Sequence, residues 1–235
     1  MPIALNFEGL HQSLGEQSAD IIFLCFGMNE AFKGEKGLPQ FKKDLNIFIK
    51  ALQSKKYNGK SAPVLVLVSP IAHETLGGHF PTPDEHNRNL ERYTETMRKT
   101  AVQQGLSFID LYAPSKAYMQ KAPQNPITIN GIHLTAKGYK ETAQMMASQL
   151  GFTAKTLAID LNADASGKLR SVIKMKDDHF FYRWRAVNGE YIYGRRREPF
   201  GIVSFPPEMA KLDQMVTSLD SVIWALGKGK GGDAY

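Results

Sequence analysis

The 235-residue chain holds a single cysteine, Cys25. One thiol excludes an internal disulfide framework and a multi-thiolate metal site. Its place inside an apolar run predicts a buried, inert thiol. No apolar stretch approaches the ~18–20 residues a bilayer crossing requires, so no membrane span is expected. The first residues, Met1 to Asn6, carry no basic n-region, no long apolar h-region and no small-residue cleavage site. As written the chain reads as cytoplasmic; a signal peptide lying upstream would make it extracellular or periplasmic. A domain-wide excess of one charge is lacking too. The net charge is +6, but residues 1–150 hold 16 Lys+Arg against 13 Asp+Glu and residues 151–235 hold 13 against 10. The basic excess concentrates in 170–197, where eight basic residues meet three acidic ones. A nucleic-acid partner is therefore not expected.

What is present is a globular composition, 43% hydrophobic and 22% charged. Ile21 to Phe26 and Val64 to Val68 are short apolar runs rich in β-branched and aromatic residues, which predicts strands buried on both faces. Phe41, Leu45, Phe48, Ile49 and Leu52 recur at helical spacing between them, and Leu90, Tyr93, Met97 and Ala101 do so after the second. A third strand is predicted over Ser107 to Leu111. A helix from about Thr135 is predicted to bury Tyr139, Ala143, Met146 and Leu150. Strands alternating with helices imply right-handed crossovers and a parallel sheet covered by helices, with ligands outside the strands' carboxyl ends. That rim would gather Gly27 to Glu30, Ser69 to Glu74, Asp110 to Ala113 and the loop around Asn130 to His133. The expected organisation is an α/β domain over 1–150 and a C-terminal mixed appendage over 151–235. In the appendage Leu157, Ile159 and Leu161 alternate, Asp164 to Gly167 reads as a turn, and Leu212, Met215, Val216, Leu219, Ile223 and Leu226 form a closing helix.

Two blocks carry the chemical signal. Gly27-Met28-Asn29-Glu30 directly follows the first predicted strand, and Asn130-Gly131-Ile132-His133-Leu134-Thr135 directly precedes a helix. With these residues the chain resembles the SGNH (GDSL-type) hydrolases over roughly residues 1–150, in their G-x-N-D/E turn and their D-x-x-H turn, often D-G-I-H-L-T. The resemblance implies a flavodoxin-like three-layer α/β/α fold and an esterase acting on acyl esters, many of them acetylated carbohydrates. Acyl transfer needs a nucleophile, a base within reach of it, and donors aimed at the developing oxyanion. On the resemblance His133 is the base and the Asn29 amide donates to the oxyanion. Asn130 stands where the family usually has Asp. It can orient the imidazole but cannot stabilise imidazolium by charge, which implies a serine–histidine dyad.

The family's nucleophile lies in a Gly-Asp-Ser block on a strand upstream of both turns, and this sequence contains no Gly-Asp-Ser. Its Asp220-Ser221 pair sits in the predicted closing helix. The expectation is that Met1 is an internal or artificial start, that the serine lies upstream, and that this chain alone is inactive. Gly9 is a loose match to a further oxyanion glycine. The reading calls for no cofactor and no metal: His79 and His86 are seven apart in a Pro-containing loop beside Asp84 and Glu85. Gly59-Lys60-Ser61 lacks the first glycine of a phosphate-binding loop and precedes a strand. For His73 and Glu74 two readings stay open, substrate contact or a solvated loop. The expected partner is a small-molecule or carbohydrate ester, and the competing reading is a non-catalytic carbohydrate- or polymer-binding module. Arginines and aromatics interleave over His179 to Arg197, which stacking on a polymer or docking of the appendage would each explain.

Overall fold

The computed structural model of the chain describes residues 7–152, 163–184 and 205–229. The chain divides into two compact units, Met1–Leu157 and Ala158–Tyr235. The first unit runs α1 (Phe7–Glu16), β1 (Ile21–Cys25), α2 (Leu38–Gln53), β2 (Val64–Val68), α3 (Asp84–Gln104), β3 (Ser107–Ile109), α4 (Tyr112–Lys121) and α5 (Ala136–Gln149). Two short 3-10 turns, Glu30–Lys33 and Glu35–Gly37, link β1 to α2. The strands form a parallel sheet in the order β1-β2-β3, flanked by helices, which is the α/β arrangement of flavodoxin-like folds. Register aligns Cys25 with Val68 and Val68 with Ile109. All three strands therefore end level, and the segments from Gly27, Ser69 and Asp110 leave from one edge of the sheet.

β2 is the centre of the core, and Leu65, Val66, Leu67 and Val68 are buried. The apolar stripe of α2 (Phe41, Leu45, Phe48, Ile49, Leu52) and that of α3 (Leu90, Tyr93, Met97, Ala101) are buried as their periodicity demands. Ser69 and Asp110 join the strand ends to α4. The Ser69 hydroxyl accepts from the Leu111 and Tyr112 amides, and Asp110 accepts from the Ala113 amide while paired with Arg98.

β1 is not buried on both faces. It is an edge strand, with Ile21 56% and Phe23 43% exposed, because nothing among the described residues pairs along its free side. Cys25 is accordingly exposed, not buried, although the partly apolar surroundings of its thiol still push its pKa up. α5 also turns a different face inward. Gly138 and Thr142 are buried, whereas Tyr139 and Leu150 are 67% and 45% exposed.

In the second unit α6 (Asp164–Trp184) packs on α7 (Phe205–Gly227). Lys176 pairs with Asp220 and Arg183 with Asp213, so the two helices run antiparallel. Val216 and Leu219 are buried. Asp164 to Gly167 is not a turn but the first turn of α6, where an acidic residue meets the free amides of a helix start. The alternation at 157–161 and residues 185–204 of the Arg/aromatic stretch lie outside the described residues. Asp220 thus serves a half-buried ion pair within a helical hairpin. Asp220→Asn is expected to lower this unit's stability by about 1 kcal/mol or less. Thermal unfolding followed by tryptophan fluorescence isolates that effect, because both tryptophans, at 184 and 224, belong to this unit.

Candidate active site

The turn after β1 is built on Glu30. Its carboxylate accepts from the Gly27 amide at 2.9 Å, and the Ala31 amide reaches the Gly27 carbonyl at 3.0 Å. Glu30 is buried, while Asn29, just before the 3-10 turn, is exposed and makes no side-chain cap bond. The sequence Gly-Met-Asn-Glu therefore folds as an inward carboxylate that fixes an outward amide.

The second turn is closed by an antiparallel bridge between Thr128 and Leu134 and by the Ile129 amide donating to the His133 carbonyl at 2.7 Å. Asn130 Oδ1 accepts from the His133 amide at 3.0 Å and lies 3.0 Å from His133 Nδ1. A backbone amide can only donate, so the side-chain oxygen of Asn130 must face it, and the same oxygen then faces the ring. Nδ1 is then the donor, and in a neutral ring the lone pair is on Nε2. His133 is exposed, and in its neutral form this bonding turns Nε2 away from Asn130.

Two packing devices hold this turn. Thr135 caps α5 by accepting from the Gly138 amide, and its own amide donates to the Ile127 carbonyl. A Cβ on Gly138 would collide with that same carbonyl oxygen, so glycine lets the helix start seat directly under the turn. The other device is Glu74. This buried carboxylate accepts from the amides of Ile127 and Thr128 and from the Thr128 hydroxyl, and the Glu74 amide donates to the Gly131 carbonyl. Glu74 is a brace, not part of a solvated loop, and nothing in the sequence pairs it with Ile127 and Thr128.

His73 is half-buried and His86 buried, and their Nδ1 atoms lie 2.9 Å apart. His86 Nε2 reaches the Met28 carbonyl beside Asn29 at 3.1 Å, and the His73 ring lies against Gly131 beside Asn130. A chain of contacts thus joins the two turns singled out in the sequence. His79, Asp84 and Glu85 are exposed, and among the described residues no group of three or more potential ligands gathers for a metal ion. Gly9 lies in the first turn of α1, with open space around its Cβ position, not in a turn after a strand. A cleft of about 520 Å³ opens beside His73 and Glu74, lined also by Asp84, Arg88, Glu91 and Lys116.

One of these turns leaves the end of β1 and the other opens α5, and the His73–His86 contacts link them on a parallel α/β frame. The chain belongs to the GDSL-like lipase/acylhydrolase family, whose sequence model matches residues 4–141. Among solved structures it is similar to a gut microbial diltiazem-metabolizing enzyme, at 19% identity and a TM-score of 0.48 over 58% of this chain and 34% of that one. It is also similar to a catalytic mutant of an acetylxylan esterase from Geobacillus stearothermophilus, at 14% identity and a TM-score of 0.46 over 58% of this chain and 62% of that one. A peptidoglycan O-acetylesterase gives 19% identity and a TM-score of 0.47 over 61% of this chain and 40% of that one. The chain spans between about a third and three fifths of the length of these structures. No curated protein sequence matches it.

Proposed function

We propose that this chain is the base-bearing part of an SGNH-type ester hydrolase, with His133 as general base, Asn130 as its orienting partner and Asn29 as an oxyanion donor. The observation that carries the reading is the Asn130–His133 pair, in which Asn130 Oδ1 engages His133 Nδ1 on an exposed residue, so that a neutral ring offers Nε2 as its base. A serine hydroxyl placed at Nε2 attacks the acyl carbon and passes its proton to the imidazole. The carbonyl oxygen becomes an oxyanion facing the Asn29 amide. Collapse expels the alcohol, which takes the proton from the imidazolium, and water repeats the cycle to release the acid. The substrate is a carboxylic ester of a small or carbohydrate alcohol. The cleft with Asp84, Arg88, Glu91 and Lys116 suits a hydroxyl-rich alcohol better than a long apolar one.

The serine has to come from elsewhere. Ser69 leaves the end of β2, but it is buried and its hydroxyl is occupied by two backbone amides. The edge of β1 along which no described residue pairs, with Ile21 and Phe23 exposed, would take an added strand bringing a Gly-Asp-Ser block level with Asn29. This chain by itself is then inactive.

The test is to read the coding sequence upstream of Met1, express any in-frame extension, and assay both proteins on p-nitrophenyl acetate. The extended protein hydrolyses the ester and the 235-residue chain does not. Iodoacetamide at pH 8.5 labels Cys25 in the folded chain and labels it more slowly in the extended protein, where a strand covers the edge. An extension without a serine block, or one that leaves both proteins inert, removes the esterase reading in favour of a carbohydrate-binding module.

A further inference from the structure

We propose that His73 and His86 are positioning residues of this site, a neutral imidazole pair that holds the Asn29 turn and the His133 loop in one arrangement and lets them part when it takes up protons. The proposal rests on the roles assigned above to Asn29 and His133.

The protonation pattern follows from the contacts. The Met28 carbonyl only accepts, so His86 Nε2 carries a hydrogen. A neutral His86 then offers a lone pair at Nδ1, and His73 Nδ1, 2.9 Å away, must donate to it. Phe32 stacks on the His86 ring at 3.7 Å between centroids, and the His73 ring meets His86 edge-on at 84°. His73 is itself pinned to α3. Its amide donates to Asn87 Oδ1 at 2.9 Å, and its carbonyl accepts from Asn87 Nδ2 at 2.8 Å. At the far end a Cβ on Gly131 would come within 2.5 Å of His73 Nε2 and Cδ2, so glycine admits the ring edge against the base loop. The links run unbroken from the residue before Asn29 to the residue after Asn130.

One added proton is tolerated: at His73 Nε2 it leaves Nδ1–H donating to His86, and on His86 Nδ1 it requires His73 to accept in the other tautomer. Two place N–H groups face to face across 2.9 Å, and the contact opens. Burial pushes both histidines below the ordinary value, and for His86 the neighbouring His73 pushes further while the Met28 carbonyl opposes. The charged groups around the pair are Glu74 on the same loop, which is committed to Ile127 and Thr128; Asp84, Arg88 and Glu91 of α3 and Lys116 of α4, which share the cleft; and Glu30 in the Asn29 turn. His133 is the further titratable group of the base loop. Because the folded-state values lie below those of the unfolded chain, the unfolded state binds more protons. Stability then falls as the pH drops below about 6.5 and goes on falling until the folded-state values are passed.

The experiment is an imidazole and amide NMR titration of the 235-residue chain, which needs no catalysis. At pH 7 the expected tautomers are Nε2–H for His86 and Nδ1–H for His73. On acidification the Asn29 and Gly131 amides share a step with the two rings, and His86→Gln abolishes that step at both amides. In the extended protein His86→Gln lowers kcat about tenfold with KM unchanged, the signature of a displaced but intact site. Independent titration of the Asn29 and Gly131 amides in the unaltered chain overturns the proposal, and so does a shared step that survives in His86→Gln. Coupled titration without ester hydrolysis by the extended protein removes the esterase reading and with it the site to be positioned. Hydrolysis with independent titration removes only the histidine brace.

Discussion

Glu74→Ala lowers the stability of the loop that carries His133 by about 3 kcal/mol, and exchange of the Ile127 and Thr128 amides speeds up about a hundredfold. Glu74 is 6% exposed, and its two carboxylate oxygens take up two backbone amides and the Thr128 hydroxyl. An alanine leaves these donors facing a cavity, and a buried donor without a partner costs about 1–3 kcal/mol. Water entering the space recovers part of that cost, which is why the expected loss is below the sum for three donors. Glu74→Gln keeps one acceptor oxygen but turns an N–H₂ toward an N–H, so its effect falls between the parent and alanine. Hydrogen exchange at Ile127 and Thr128 is the measurement to use. Tryptophan fluorescence reports the other unit, where the transition stays where it was. Unchanged exchange in Glu74→Ala would show that the turn is held by the Thr128–Leu134 bridge and the Gly138 contact alone.

The contrast between Glu74 and Asn130 shows where a sequence stops being informative about a site. Asn130 and His133 are three residues apart, and their bond closes within a single turn, so the pattern of types carries the geometry with it. Glu74 meets Ile127 and Thr128 across more than fifty positions, and neither helical nor strand periodicity marks such a partner. The His73–His86 pair fails to show for the same reason: His73 lies on a segment expected at the rim, whereas His86, read as part of a Pro-containing loop, sits in the first turn of α3. The parallel sheet and the faces of α2 and α3 were legible because large apolar side chains repeat there at the period of the element. The face of α5 was not, since it packs through Gly138 and Thr142, which carry almost no hydropathy signal, while the exposed Tyr139 does. β1 has the composition of a central strand, and its sequence alone cannot tell that no described strand pairs along one of its sides. Its exposed Ile21 and Phe23 fit a strand whose composition suits neighbours on both sides.

His133→Ala in the extended, active protein is expected to lower kcat/KM on p-nitrophenyl acetate by about 10²–10⁴, the range that a positioned general base supplies. Asn130 separates orientation from charge. Asn130→Ala keeps the imidazole but removes the oxygen that fixes its tautomer, so the ring divides its time between arrangements and the rate falls by about tenfold, less than for His133→Ala. Asn130→Asp keeps the same oxygen 3.0 Å from the His133 amide and from Nδ1 and adds a charge that stabilises the imidazolium. The rate should then rise, by about tenfold for each 1.36 kcal/mol of transition-state stabilisation gained. The sign of the Asn130→Asp effect is the decisive quantity. A rise means that the neutral amide already holds the base correctly and that the missing charge limits the rate. A fall means that the amide NH₂ of Asn130 serves the substrate, which moves the oxyanion contacts to this side of the rim. Hydrolysis that persists in His133→Ala would place the base on another residue and leave the Asn130–His133 turn a structural closure of α5.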